Sequence, residues 1–199
     1  MTDTELPLST RCPLPRIEGR ESAAYYWVMS NEHTVQEAQL HPAVEEAIAK
    51  YGIAHEVLAC DDELADTGTF CEHYGVALEQ AANTILVASK KVDPPKYAVC
   101  VVLGTTRLDV NKTVREKLHV KRASFADAET TKQLTGMLIG GVTAIGTEGL
   151  PIYVDASVLA QNEVVMGGGN RTSKLLLNPN ELAKLPNVEV IEDLAKAQD

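Results

Sequence analysis

Residues 84–103 read TILVASKKVDPPKYAVCVVL, and this stretch decides the fold. Two apolar, β-rich runs, 84–88 and 97–103, are separated by a polar turn that contains Pro94-Pro95. Runs of this length and composition, bounded by turn residues, are typical of buried strands. The stretch therefore predicts two central strands joined as a hairpin.

The sequence on either side of the hairpin predicts helices and further strands. Helices are expected over 42–51, from Asp66 to 74, over the basic segment 110–118, from Asp127 to 134, and over 179–185 and 192–197. Strands are expected at 55–60, 151–154, 163–166, 174–177 and 188–191. Because strands mostly adjoin strands, the pattern predicts an α/β fold: a single domain with a mixed, largely antiparallel sheet surrounded by helices.

Residues 1–33 differ from the rest of the chain. Pro7, Pro13 and Pro15 interrupt any periodicity there, and Ile17-Glu18-Gly19-Arg20 has the form of a protease cleavage site for tag removal. We expect 1–33 to be an N-terminal extension and 34–199 to form the functional domain. A chain of 199 residues with 45% hydrophobic residues is large enough for one such core.

Composition also limits the cofactors and the location. The four cysteines form no C-x-x-C pair and have no histidines at zinc-ligand spacing, so neither a metal site nor a cofactor is expected. No run approaches the roughly 18 apolar residues of a membrane span, and no secretory signal pattern is present. We expect a cytoplasmic protein that does not bind membranes.

The charges are unevenly distributed. The net charge is −10, which argues against general DNA or RNA binding, yet nine of the eighteen Lys and Arg residues fall within 90–122 among only three acids. A basic stripe of this kind can hold one phosphate backbone. The alternative is an exposed helix whose charges are simply solvated.

Two short motifs resemble known functional motifs but have simpler structural interpretations. Asp66-Thr67-Gly68 is the tripeptide of aspartic proteases, but it follows a polar, acidic segment and precedes a helix, so a helix N-cap is the better interpretation. The segment 167–174, GGGNRTSK, lacks the spacing of a nucleotide-binding P-loop. It predicts a hairpin turn, or a turn whose backbone N–H groups line a pocket.

The segment 134–146, LTGMLIGGVTAIG, is the most informative one for chemistry. Its glycines would let backbone N–H groups approach a ligand, with the Thr143 hydroxyl among them. Hydrolysis of an activated ester needs a positioned water and oxyanion donors more than a strong nucleophile. The alternative is a tight bend inside the sheet. The sequence contains no recognisable Ser-His-Asp or Cys-His arrangement.

These motifs resemble the YbaK/EbsC family of aminoacyl-tRNA deacylases, relatives of the editing domain of bacterial prolyl-tRNA synthetases. The similarity extends from about residue 41 to 194 in matching order and spacing. It rests on Asp66-Thr67, 83–87 (NTILV), 107–109 (RLD), 120–127 (VKRASFAD), Thr135-Gly136, 140–143 (GGVT), 151–155 (PIYVD) and 166–171 (MGGGNR). The resemblance implies a partly rolled mixed sheet with one substrate pocket.

The resemblance also assigns roles to residues of this chain. It implies that Asn83, Gly140, Gly141, Thr143 and Gly146 form the catalytic site, and that Asp155, Gly167 and Gly168 shape the side-chain pocket. The acceptor stem would contact the basic residues Lys112, Arg115, Lys121 and Arg122. Two positions depart from the family: Asn83 stands where the family has a pocket lysine, and Ala144 stands where it has a proline.

Three functions remain open on the sequence alone. The first is a trans-editing hydrolase that removes a wrongly attached amino acid from an aminoacyl-tRNA, with the acceptor end as its partner. The second is a catalytically silent aminoacyl-tRNA binding module, because the family lysine is missing. The third is a hydrolase of a small acylated metabolite. If the first holds, Asn83→Lys is predicted to raise deacylation; the oligomeric state is left open.

Overall fold

The computed structural model describes residues 38–198, and the extension 1–33 lies outside them. The described helices are α1 (Pro42–Tyr51), α2 (Thr67–Tyr74), α3 (Arg115–Lys117), α4 (Ala128–Thr135) and α5 (Ala156–Leu159). The described strands are β1 (Glu56–Ala59), β2 (Ala82–Ser89), β3 (Tyr97–Leu103), β4 (Thr106–Leu108), β5 (Ala123–Phe125), β6 (Ile152–Asp155), β7 (Val164–Gly167), β8 (Ser173–Leu177), β9 (Val188–Ile191) and β10 (Ala195–Ala197).

The predicted central hairpin is confirmed. β2 and β3 pair antiparallel, with Asn83 opposite Val102 and Val87 opposite Ala98. They lie inside a five-stranded sheet of order β5-β2-β3-β6-β9, in which β3–β6 and β6–β9 are parallel. A second sheet, β1-β8-β7, and the pair β4–β10 are antiparallel throughout. The mixed, largely antiparallel α/β fold expected from the sequence is therefore correct.

The central strand β3 is buried on both faces, which explains its continuous apolar sequence. Val99 and Val101 pack into a core with Val44 of α1. The intervening residues Cys100 and Val102 face a second core under the basic segment. A strand covered on both sides has no solvent face, so it shows no alternation of apolar and polar residues.

Helix boundaries follow the predicted caps. His41 precedes α1 and its ring Nδ1 accepts the N–H of Ala43, and Gly52 ends the helix in the left-handed conformation. Asp66 occupies the N-cap position of α2, as predicted, although its carboxylate makes no capping hydrogen bond there. It lies instead 3.7 Å from the Arg171 guanidinium.

The basic segment and the C-terminal segment differ from the prediction. The expected helix 110–118 begins as the π-helical turn Val110–Val114 and continues as α3. The prediction of a helix over 192–197 is wrong, because residues 195–197 form β10, which pairs with β4. Asp193 has a φ of 54°, which interrupts a helix, and the open edge of β4 accepts the following residues as a strand. The short strands β4 and β5 were also not predicted.

The glycine-containing segment 137–151 contains no strand, so the interpretation of it as a bend inside the sheet is wrong. It crosses from α4 to β6 and packs against α1 and the β7–β8 turn. The GGGN turn does join β7 to β8 as a hairpin, as predicted. Within residues 38–198, no helix is long and apolar enough to cross a membrane.

Candidate active site

A cavity of about 350 Å³ opens where the start of β2 meets the β7–β8 hairpin. A bridge between Ala81 and Val165 joins the two sheets at this point. The first turn of α2, the loop 139–142 and the chain after β5 complete the wall. We call this cavity the pocket. Its polar lining is Asp66, Thr67, Asn83, Thr84, Thr131 and Lys174; its apolar lining includes Phe70, Leu86, Phe125, Ile139, Val142 and Met166.

Asn83 lies in the pocket, at the start of β2. Its carboxamide oxygen accepts a hydrogen bond from the Thr67 hydroxyl at the beginning of α2. Since an asparagine amide carries both an acceptor and two donor hydrogens, this bond turns the NH₂ end toward other partners. Asn83 can therefore donate a hydrogen bond to a ligand, although it brings no charge.

Among the glycines of the predicted loop, Gly140 is the one that lines the pocket. Its φ of 92° lies in the left-handed region, and a Cβ at this position would overlap the Arg171 guanidinium. Its carbonyl accepts a hydrogen bond of 2.8 Å from Lys174 Nζ. None of the hydrogen bonds among residues 38–198 uses its N–H. The Gly140 N–H thus has no protein acceptor among the described residues, on a residue that lines the pocket.

Lys174 is a pocket residue that the sequence did not reveal. Only 5% of the residue is exposed. Its Nζ donates to the carbonyls of Ala65 at 2.6 Å and Gly140 at 2.8 Å, and it lies 5.2 Å from the centre of the Phe70 ring. Burial lowers the pKa of Lys174. An ammonium has three N–H donors, so one remains for a ligand in the pocket.

Comparison with known proteins identifies the family. Residues 61–185 match the family model of the aminoacyl-tRNA editing domain. The chain belongs to this family. The resemblance to YbaK-type proteins found in the sequence is thereby confirmed, and family membership implies an aminoacyl-tRNA substrate.

Two solved structures share the fold of this editing domain. The hypothetical protein APE2540 has a TM-score of 0.68 and 24% identity, over 77% of this chain and 99% of its own. A candidate trans-editing enzyme for prolyl-tRNA synthetase has a TM-score of 0.65 and 24% identity, over 77% of this chain and 98% of its own. At this level of identity the likeness establishes the fold.

Arg171 braces the pocket rim of the editing domain from the β7–β8 turn. Its guanidinium forms an ion pair with Asp62 and donates to the carbonyl of Ile139 at 3.0 Å. It therefore ties the loop before Gly140 to the segment that leads into α2. Arg171 belongs to the motif 166–171 that resembles the family, but the sequence did not predict a role for it.

The turn and the glycine loop pack backbone against backbone. The N–H of Gly169 donates to the carbonyl of Gly141 at 2.7 Å, and a Cβ on Gly141 would overlap the backbone of Asn170. Gly167 lines the pocket, whereas Gly168 is held behind it by hydrogen bonds to Ser173 and His41. The turn is thus a hairpin, as predicted. The N–H groups of Gly168 and Gly169 donate to carbonyls of the protein, so the alternative of a turn whose N–H groups line the pocket is not supported.

Like Gly141 and Gly168, three further residues expected in the site are not brought to the pocket lining. Thr143 is fully buried and its hydroxyl accepts from the Ile145 N–H, while Gly146 packs against the carbonyl of Ala43 in α1. Asp155 caps α5 and also accepts from the Ala195 N–H at 2.9 Å. Their contacts support the fold around the pocket, because each is occupied by the protein itself.

The predicted acceptor-stem cations lie outside the pocket. Lys112 belongs to the π-helical turn and Arg115 begins α3, where it lies 3.8 Å from Glu116. Lys121 and Arg122 are exposed immediately before β5. Neither forms a salt bridge with another described residue. Since Phe125 at the end of β5 lines the pocket, these two charges flank one approach to it.

The described cysteines are core residues. Cys60, Cys71 and Cys100 are buried and free. Burial raises the pKa of all three thiols, that of Cys100 to about 12. Thiols in this state are poor nucleophiles, because the thiolate is the reactive form.

Proposed function

We propose that this editing domain hydrolyses the ester that joins a wrongly attached amino acid to its tRNA. The observation that carries the proposal is that three residues with hydrogen-bond donors line one pocket. The donors are the buried ammonium of Lys174, the amide of Asn83 and the N–H of Gly140. An ester carbonyl in this pocket would meet a positive charge and two neutral donors.

The proposed chemistry is addition of water to the ester carbonyl. The carbonyl oxygen gains negative charge as the water oxygen bonds to carbon, and the pocket donors stabilise that charge. The carbon–oxygen bond to the ribose then breaks, and the proton lost by the water is transferred to the ribose oxygen. The products are the free amino acid and a tRNA with an intact 3′ end.

Lys174 supplies the charge that Asn83 lacks. The family resemblance places a lysine at position 83, where this chain has a neutral amide that is bonded to Thr67. Lys174 reaches the same pocket from β8. The proposed catalytic group therefore consists of Asn83, Gly140 and Lys174, with Gly141 and Gly167 holding the loop against the hairpin.

The pocket lining suggests the kind of amino acid that is removed. Phe70, Leu86, Val142 and Met166 provide an apolar wall, and the volume is about 350 Å³. Burying a charged side chain against such a wall without a partner costs several kcal/mol. We propose that the substrate carries a small or medium-sized uncharged amino acid, and that residues 34–199 form the editing unit.

A panel of mischarged tRNAs tests this function directly. Each tRNA is incubated with the protein and the release of free amino acid is followed over time. Release from a subset of the panel, above the rate without protein, is the expected result. Lys174→Met should lower that rate by about 10²-fold, by analogy with the loss of one preorganised donor.

Two controls make the result interpretable. Lys50→Met removes a surface lysine that pairs with Glu148 at 2.6 Å and should leave the rate unchanged. Thermal unfolding of Lys174→Met shows whether a lower rate is due to loss of folding. The milder variant Lys174→Gln serves the same purpose. If the wild type binds tRNA but releases no amino acid from any of the tested tRNAs, the catalytically silent binding module is the correct function.

A further inference from the structure

A second cavity adjoins the pocket across the edge strand β5. It has a volume of about 520 Å³, and we call it the cleft. Ala123 and Ser124 line the cleft, Ala126 lines the pocket, and Phe125 lines both. Phe125 thus borders both cavities.

Phe125 presents a large aromatic surface to solvent. The residue is 57% exposed, and it belongs to the strand at one edge of the five-stranded sheet. Ile139, at the rim of the same pocket, is 51% exposed. An exposed aromatic ring beside a substrate pocket offers a flat face on which a nucleic-acid base can stack.

The cleft has the charge that a phosphate requires. Arg107 and Lys196 lie in its wall on the paired strands β4 and β10. Lys196 is paired with Asp109 at 2.6 Å, whereas Arg107 forms no salt bridge with any residue of the described chain. The cleft therefore has one unpaired positive charge, together with the hydroxyl of Ser124 and the amide of Asn111.

We propose that Phe125 and the cleft bind the single-stranded 3′ end of the tRNA. The terminal base stacks on Phe125 while its ribose carries the aminoacyl group into the pocket. The preceding phosphate is bound by Arg107 in the cleft. This inference rests on the proposed function, and it assigns the path by which the substrate reaches the pocket.

The order of the chain supports this path. β5 runs from the cleft to the pocket, and the exposed cations Lys121 and Arg122 immediately precede it. At about 3.3 Å per residue, Arg122 lies roughly 10 Å along the strand from Phe125. A chain of phosphates that extends away from Phe125 would therefore meet further positive charge.

Stacking can be measured without any catalytic turnover. The probe is an RNA minihelix whose terminal adenine is replaced by 2-aminopurine, a base whose fluorescence is quenched when it stacks. Wild-type protein is expected to quench this fluorescence on binding. Phe125→Ala and Phe125→Leu should bind the RNA without quenching its fluorescence. Phe125→Tyr should bind the RNA and still quench it.

Val190→Ala is the matched control. Val190 is 48% exposed on β9, at the opposite edge of the same sheet, so its loss should leave both quenching and affinity unchanged. Arg107→Gln should weaken binding several-fold and lower the slope of log K against log salt by about one unit or less. It should leave the quenching of the bound probe intact.

The outcomes distinguish this inference from the proposed function. If wild-type protein does not quench the bound probe, or if Phe125→Ala quenches as well as the wild type, the stacking assignment is wrong. Deacylation by the wild type would still support the editing function in that case. Where deacylation occurs, Phe125→Ala should raise KM by about tenfold with a smaller effect on kcat, since the base is bound before chemistry begins.

Discussion

At the scale of single residues, the buried cation of the pocket lies on a different strand from the one that the family pattern predicts. A lysine on β2 would follow the family pattern, but β2 carries Asn83 and the ammonium reaches the pocket from Lys174 on β8. Two carbonyls hold that ammonium in place, at 2.6 and 2.8 Å. A charge fixed in this way needs little reorganisation when an oxyanion forms.

The pH dependence of deacylation should report on Lys174. Burial lowers its pKa from the usual value of 10.5, so the ammonium is lost at a lower pH than for an ordinary lysine. The enzymatic rate, corrected for spontaneous ester hydrolysis, should therefore fall as pH rises through the lowered pKa. The rate of Lys174→Arg should not fall over this pH range, because arginine stays protonated. If the variant loses activity at the same alkaline pH as the wild type, the assignment to Lys174 is wrong.

The structure changes the expectation for Asn83→Lys. A lysine at position 83 would lose the bond to Thr67 and add a second ammonium to the pocket that already contains Lys174. Like charges in one partly buried site disfavour each other. We now expect Asn83→Lys alone to lower the deacylation rate.

A double variant tests whether the two positions are interchangeable. In the Lys174→Met background, Asn83→Lys should raise the deacylation rate, because it returns a single cation to the pocket. Opposite effects of one substitution in the two backgrounds are the signature of direct coupling. If Asn83→Lys has the same effect in both, the two lysine positions do not substitute for each other.

At the scale of elements, the pocket depends on the contact between the glycine loop and the β7–β8 turn. Arg171 holds the loop from one side through the Ile139 carbonyl, and the Gly141–Gly169 hydrogen bond holds it from the other. The two backbones can touch because the glycines bring no side chains to this contact. The glycines are therefore structural requirements of the pocket wall.

Gly141→Ala should disrupt this contact. Its Cβ would overlap the backbone of Asn170, which cannot move without shifting the turn. We expect a loss of about 1–3 kcal/mol in the free energy of unfolding, together with a loss of deacylation. Chemical denaturation measures the first and the tRNA panel measures the second.

Gly68→Ala is the control for the preceding variant. Gly68 lies within α2, and a Cβ there meets no atom within 4 Å. Alanine should stabilise this helix by up to about 1 kcal/mol. Equal destabilisation by both alanine substitutions would contradict the proposed backbone contact.

At the scale of the whole molecule, the proposed function requires an acidic protein to bind an acidic partner. The net charge is −10, yet half of the Lys and Arg residues lie within 90–122. The structure places Arg122 directly before the strand that borders the pocket. In the proposed function, these cations orient the tRNA while the acidic remainder of the surface repels it.

Binding of tRNA should therefore weaken steeply as salt rises. Removal of any one of Lys112, Arg115, Lys121 and Arg122 should lower the slope of log K against log salt by about one unit or less. Lys50→Gln, on α1, serves as the control and should leave the slope unchanged. Binding of tRNA that is independent of salt would favour the hydrolase of a small acylated metabolite.

The sequence by itself determined the family and most of the elements. Local signals were sufficient for the β2–β3 hairpin, for the range of α1, for the start of α2 after Asp66, and for the GGGN turn. These features depend on the conformational preferences of neighbouring residues. The motifs, read in order, were specific enough to identify the editing domain.

Only the tertiary structure decided which side chains share the pocket. Lys174 and Asn83 are far apart in sequence, and the neighbours of Lys174 in β8 gave no sign that its ammonium is buried. Thr143 and Asp155 looked like site residues but bond to the protein backbone. A helix was expected over 192–197, but residues 195–197 form a strand because they pair with the open edge of β4. Such outcomes depend on contacts between distant segments, which local sequence patterns do not encode.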